Sequence, residues 1–114
     1  MRNAGRLLVL TPVMALLAIG TVFLIRATQQ TKPHRVVLTW HPSIPSKGVP
    51  VVGYNVYRST TSGGPYVRIA SKVPDVSYTD AIVNSGTMYF YVVTAVDRSN
   101  QESKYSNEAR AVIP

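Results

Sequence analysis

The chain has no cysteine and only five acidic residues against twelve basic ones. Without cysteine there is no disulfide scaffold, thiolate zinc site, cysteine nucleophile or lipid-modified cysteine at the end of a leader. The five carboxylates compose no catalytic constellation. Asp75 and Asp80 form the nearest approach to an acid–base pair, and nothing around them predicts a shared cleft. Asp75, Asp80 and Asp97 lack the dense oxygen spacing of a calcium loop. The two imidazoles, His34 and His41, flank one predicted strand and so cannot close on one ion together. A GxSxG elbow, an RGD tripeptide and an N-x-S/T sequon are also missing. No catalytic residue, metal or cofactor is expected.

The excess of base is unevenly placed. Of the net charge of +7, Arg2, Arg6, Arg26 and Lys32 contribute +4 with no acid beside them, and the rest of the chain contributes +3. The later cations Lys47, Arg58, Arg68, Lys72, Arg98, Lys104 and Arg110 are scattered singly, which argues against a nucleic-acid footprint. Residues 7 to 25 form an uncharged apolar run between Arg6 and Arg26. A helix of that length measures roughly 28 Å, close to the ~30 Å of a bilayer interior. The sequence therefore divides into a basic amino terminus (1–6), a transmembrane signal-anchor helix (7–25), a polar linker (26–34) and one domain (35–114). The basic flank keeps the amino terminus in the cytoplasm and predicts a single-pass protein with its carboxy-terminal domain outside. A cleaved leader is the alternative. Its best small-residue pair at the end of the run is Ile25 and Ala27, where a branched side chain stands in place of a small one. A buried helix is the remaining reading.

Beyond the linker the periodicity is that of strands. Val36, Leu38 and Trp40 alternate with Val37 and Thr39, and a loop with Pro42, Pro45 and Pro50 follows. Val51 to Ser59 make the next strand with Tyr54 and Val56 inward. Thr60 to Pro65 form a turn, Tyr66 to Ala70 and Ser77 to Thr79 short strands, and Asn107 to Ile113 the last. The longest strand, Met88 to Val96, sets Tyr89, Tyr91, Val93 and Ala95 on one face. The predicted core is Leu38, Trp40, Tyr54, Val56, Tyr78, Tyr89, Tyr91, Val93 and Ala95. On the opposite parity Tyr57, Phe90 and Val92 compose a candidate outward contact surface. The fold class read from this spacing is an antiparallel all-β sandwich.

Several segments carry a specific resemblance: Leu38-Thr-Trp40, Gly53-Tyr-Asn-Val-Tyr-Arg-Ser59, Gly64-Pro-Tyr66, Ser77-Tyr-Thr-Asp80, Tyr89 to Asp97, and Glu102-Ser-Lys-Tyr-Ser-Asn-Glu108. Residues 35 to 113 resemble a fibronectin type III domain of the bacterial extracellular type. The resemblance implies that the sandwich is of the immunoglobulin-like kind, that Trp40 packs between the sheets and that the Tyr89 hydroxyl bonds back to the preceding loop. Family members begin with a strand paired to the one carrying Trp40. Only eight residues separate Arg26 from Arg35, so that first strand is expected to be short or missing, leaving Val37 and Leu38 on an open edge for a partner. The function expected is a noncatalytic, membrane-tethered extracytoplasmic interaction or spacer module that binds protein partners. The alternative is a secreted carbohydrate-associated accessory module, released by signal peptidase and contacting polysaccharide.

Overall fold

The computed structural model describes residues 7–8, 23–30, 34–44 and 48–114. Eight strands follow in order: β1 (Leu7–Leu8), β2 (Phe23–Gln30), β3 (Arg35–His41), β4 (Val51–Ser59), β5 (Val67–Val73), β6 (Ser77–Asp80), β7 (Met88–Asp97) and β8 (Ala109–Val112). They form two four-stranded antiparallel sheets, β1-β2-β3-β6 and β5-β4-β7-β8. Apolar residues at alternate positions turn inward from both sheets, as the pleat requires.

The first sheet corrects the expectation of a short or missing opening strand. Residues assigned to the linker belong to β2, which pairs with β3 from Arg26↔Thr39 to Gln30↔Arg35. On its other side β3 pairs with β6 through Val36↔Asp80 and Leu38↔Tyr78. Val37 and Leu38 are therefore central, with no open edge to offer a partner. The physical reason lies in how few residues the connection needs: β2 draws Phe23, Leu24 and Ile25 from the apolar run, and only residues 31–34 remain to turn the chain into β3. Ile25 and Ala27 are fully buried, and Arg26 between them is exposed. The helix expected over residues 7 to 25 is likewise corrected at its ends, because Leu7–Leu8 and Phe23–Ile25 are extended. Residues 9–22 lie outside the described part. Among the described residues no helix is long and apolar enough to cross a membrane.

The core lies between the sheets. Val36, Leu38 and Trp40 face Tyr54, Val56, Tyr91, Val93 and Ala95, with Ala109, Ala111 and Ile113 closing one side. The Trp40 and Tyr54 rings meet edge to face at 5.5 Å, and the Tyr54 hydroxyl accepts a bond from Ser43 N at 2.8 Å. Tyr78, expected in the core, is only half-buried at its rim.

One buried charge ties the sheets together at the far end. Asp80, at the end of β6, is 3% exposed. Its Oδ2 accepts from Arg58 Nη1 on β4 at 2.9 Å and from the Tyr91 hydroxyl on β7 at 2.7 Å; its Oδ1 accepts from Ile82 N at 3.1 Å. Arg58 also donates to Ile82 O at 2.7 Å and lies 5.1 Å over the Tyr89 ring, a cation–π contact. The Tyr89 hydroxyl accepts from Asn84 N at 2.9 Å, pinning the loop between β6 and β7.

At Gly53 the chains of β4 and β5 approach so closely that a Cβ would lie 2.9 Å from the Lys72 backbone. Lys72 takes a positive φ of 50° there, and its N–H donates to Asn55 Oδ1 at 2.9 Å. Backbone cannot give way as a flexible side chain does. Gly53→Ala is expected to cost about 1–3 kcal/mol, the scale of overpacking. Urea unfolding would measure it, and an unchanged midpoint would show that β5 shifts freely.

Candidate functional site

The outward face of the β5-β4-β7-β8 sheet carries the densest set of polar and aromatic side chains not used by the core. It is built by the segment Glu102–Glu108, which runs beside the upper half of β7 before β8 begins. Ser103 N donates to Ala95 O at 2.9 Å, and Ala95 N donates to Ser103 Oγ at 2.8 Å. Three residues on, Ser106 N donates to Val93 O at 2.9 Å, and Val93 N donates to Ser106 Oγ at 2.9 Å. Each serine hydroxyl stands where a ladder carbonyl would, so the sheet edge is bonded without a regular strand. Lys104 and Tyr105, between the two serines, are left exposed.

Tyr105 sits between two other tyrosines. Its ring centroid is 5.3 Å from that of Tyr57 on β4 and 5.1 Å from that of Tyr66 before β5, both in edge-to-face geometry. A carboxylate closes each end of this row. Glu102 Oε2 accepts from the Tyr57 hydroxyl, from Asn55 Nδ2 and, at 2.8 Å, from Thr94 Oγ1. Glu108 accepts from the Tyr66 hydroxyl, from Gly63 N at 2.8 Å and from Ser62 Oγ at 2.7 Å.

These bonds set the charge of the face. Partial burial pushes the Glu102 carboxyl up, but the donors Tyr57, Asn55 and Thr94 and the charge of Arg68 outweigh it and hold the group below its ordinary range. Glu108 is lowered in the same way, burial being outweighed by Gly63 N, Tyr66 and Ser62. Burial, then the facing carboxylates, push the Tyr57 and Tyr66 phenols up, so both remain donors at neutral pH. A carboxylate with a lowered folded pKa stabilises the fold above the unfolded value of about 4.3 and stops doing so as pH falls through the folded value. The melting temperature is therefore expected to fall on acidification from about pH 6 to 3. The double variant Glu102→Gln/Glu108→Gln should flatten that dependence in a pH series of thermal melts, and an undiminished slope would place the effect elsewhere.

Of the contact surface read from parity, Tyr57 stands in this face, half-buried against Tyr105. Phe90 is half-buried further down the sheet, opposite Ser59 and Arg110. Val92 is a correction: it lies directly opposite Tyr57 but is only 2% exposed, so it is sealed beneath the face and offers no contact. Tyr105, Tyr66, Glu102 and Arg68 were not read from the sequence as contact residues. The one signal for them was the Ser-x-x-Ser spacing inside a segment that otherwise looks like a polar turn.

The residues weighed for chemistry are not gathered. His34 and His41 fall at opposite ends of β3, and Asp80 is committed to Arg58 and Tyr91. Among the described residues no group of three or more His, Asp or Glu side chains is placed to hold a metal ion.

No family model matches the chain. An Fn3-like protein from Clostridium thermocellum superposes with a TM-score of 0.68 at 39% identity, covering 79% of this chain and 88% of that one. A segment of an amylopullulanase from Thermoanaerobacter thermohydrosulfuricus is 48% identical over 77 residues, which is 68% of this chain and 5% of that enzyme. An amylopullulanase from Thermoanaerobacterium thermosulfurigenes is 42% identical over 77 residues, 68% of this chain and 4% of the enzyme. The chain thus spans about a twentieth of the length of these curated relatives.

Proposed function

Because the chain belongs to the fibronectin type III-like family, we propose that it is a noncatalytic accessory module of carbohydrate-active enzymes, exported from the cell and released from its leader. The observation that carries this reading is the 48% identity to a short segment of an amylopullulanase. The side chains described here agree with a role outside catalysis, since Asp80 is held in an internal ion pair and each outward carboxylate is anchored by a tyrosine hydroxyl.

The position of β2 favours release over tethering. With Leu7–Leu8 in β1 and Phe23–Ile25 in β2, the apolar run outside the strands covers residues 9 to 22, 14 in number, nearer to a leader core than to the ~20 needed to span. A cut after Ala27 would split β2 between residues paired with β3. A cut between Gly20 and Thr21, with Ala18 and Gly20 as its small residues, keeps β2 whole on β3 and removes only the two-residue β1 at the sheet edge. Intact-mass measurement of protein from the culture fluid is expected to give a chain starting at Thr21. A product that retains Met1 in the membrane fraction would restore the tethered reading. The accessory role is tested by exchange: this module, put in place of the matching segment of the amylopullulanase, should restore hydrolysis of insoluble starch that deletion of the segment lowers. Failure to restore it, or release of reducing sugar by the chain alone, would overturn the proposal.

A further inference from the structure

Resting on the accessory-module reading, we propose that the face around Glu102 and Tyr105 is a binding site for a neutral glucan chain. Two depressions of 320 and 340 Å³ lie on this face and share Glu102 as a wall. Each is at the lower end of the roughly 300–1,000 Å³ of small-ligand sites. Arg68, Lys72 and Asn100 rim the first; Tyr57, Lys104 and Tyr105 rim the second.

The hydrogen-bonding capacity left over is what selects the ligand. All three bonds to Glu102 reach Oε2, so Oε1 has no donor among the described residues. Among those residues the side chains of Arg68, Lys72 and Lys104 form no ion pair, leaving three cationic donors beside one charged acceptor. An anionic ligand would meet the Glu102 carboxylate, and a cationic one would meet Arg68, Lys72 and Lys104. A polyhydroxyl ligand without charge satisfies both kinds of group, because each hydroxyl donates to Oε1 or accepts from a cation. The C–H face of a pyranose ring also needs an aromatic surface. Tyr105 supplies one at 44% exposure, with its position fixed by Tyr57, Tyr66 and the two serine bonds, so little ordering remains to be done on binding. The name of the amylopullulanase relatives points to a starch-type glucan or pullulan as the chain presented to such a face.

Affinity electrophoresis of the full chain through gels holding pullulan, soluble starch or polygalacturonate tests the proposal, with maltoheptaose titration giving the affinity. Pullulan and starch should retard the protein. Tyr105→Ala should weaken binding by about two- to tenfold, the scale of one aromatic contact. Arg68→Ala, at an exposed edge position with no hydrogen bond or ion pair among the described residues, should weaken it about threefold or more while the far-ultraviolet circular dichroism spectrum keeps its native form. Thr79→Ala, on the other sheet, should change nothing. Absence of retardation by both glucans, retardation untouched by Tyr105→Ala and Arg68→Ala, or stronger retardation by polygalacturonate would each overturn the inference. If starch hydrolysis is still restored in the exchange experiment while glucan binding is absent, only the binding site falls. If neither occurs, the accessory role falls with it.

Discussion

Asp80→Ala is expected to destabilise the module by about 3–5 kcal/mol, the cost of removing one partner from a buried ion pair. The carboxylate accepts bonds from Arg58, Tyr91 and Ile82 at 2.7 to 3.1 Å in a site with 3% exposure. Alanine leaves the buried Tyr91 hydroxyl with no acceptor and the guanidinium, its side chain 25% exposed, with Ile82 O as its remaining partner over the Tyr89 ring. Burial, the largest of the effects that push the Tyr91 phenol up, persists in the alanine variant, so the hydroxyl stays neutral and lacks an acceptor. Asp80→Asn keeps an acceptor for Tyr91 and should cost less. At about 4–8 °C per kcal/mol for a domain of this size, the alanine variant should melt well over 10 °C lower by calorimetry. A loss under about 1 kcal/mol would show that the sheets are held at that end by packing alone.

Trp40→Ala should have a loss of the same size, about 3–5 kcal/mol, for a different reason. The indole is 4% exposed between the sheets and edge-on to Tyr54, whose hydroxyl in turn holds the loop after β3 through Ser43 N. Truncation leaves a cavity that β3 cannot close, since it is bonded on one side to β2 and on the other to β6. Trp40 is the only tryptophan, so unfolding is best followed by far-ultraviolet circular dichroism in urea rather than by fluorescence. A shift below about 1 kcal/mol would mean that the side chain makes no real contribution to the core.

Alternation made much of the sandwich legible. β4 coincides with the Val51–Ser59 reading, β6 and β7 each extend one residue further than their alternating patterns, and β3 extends one residue beyond Val36–Trp40 at each end. The pattern fails where one strand crosses a boundary in composition. In β2 the inward residues are Ile25 and Ala27, one from the apolar run and one from the polar stretch, so dividing the chain at Arg26 hid the strand. Val92 shows a second limit. Parity fixes the side of a sheet to which a residue turns but not what lies over that side. The Glu102–Glu108 segment packs on the sheet through long-range bonds to Asn55, Tyr57, Ser62 and Tyr66, which no local periodicity encodes. The candidate face was accordingly legible only at Tyr57.

The two serine bonds beside β7 bear on how such modules behave when crowded. Sheet proteins stick to one another through unpaired borders, where a foreign strand finds free amides and carbonyls. Here Val93 and Ala95 have both backbone groups occupied by Ser103 and Ser106. A hydroxyl ends the ladder without presenting a fresh row of amides in its place. A neighbouring molecule at high concentration therefore finds no free amide or carbonyl on Val93 or Ala95 to zip onto along that margin.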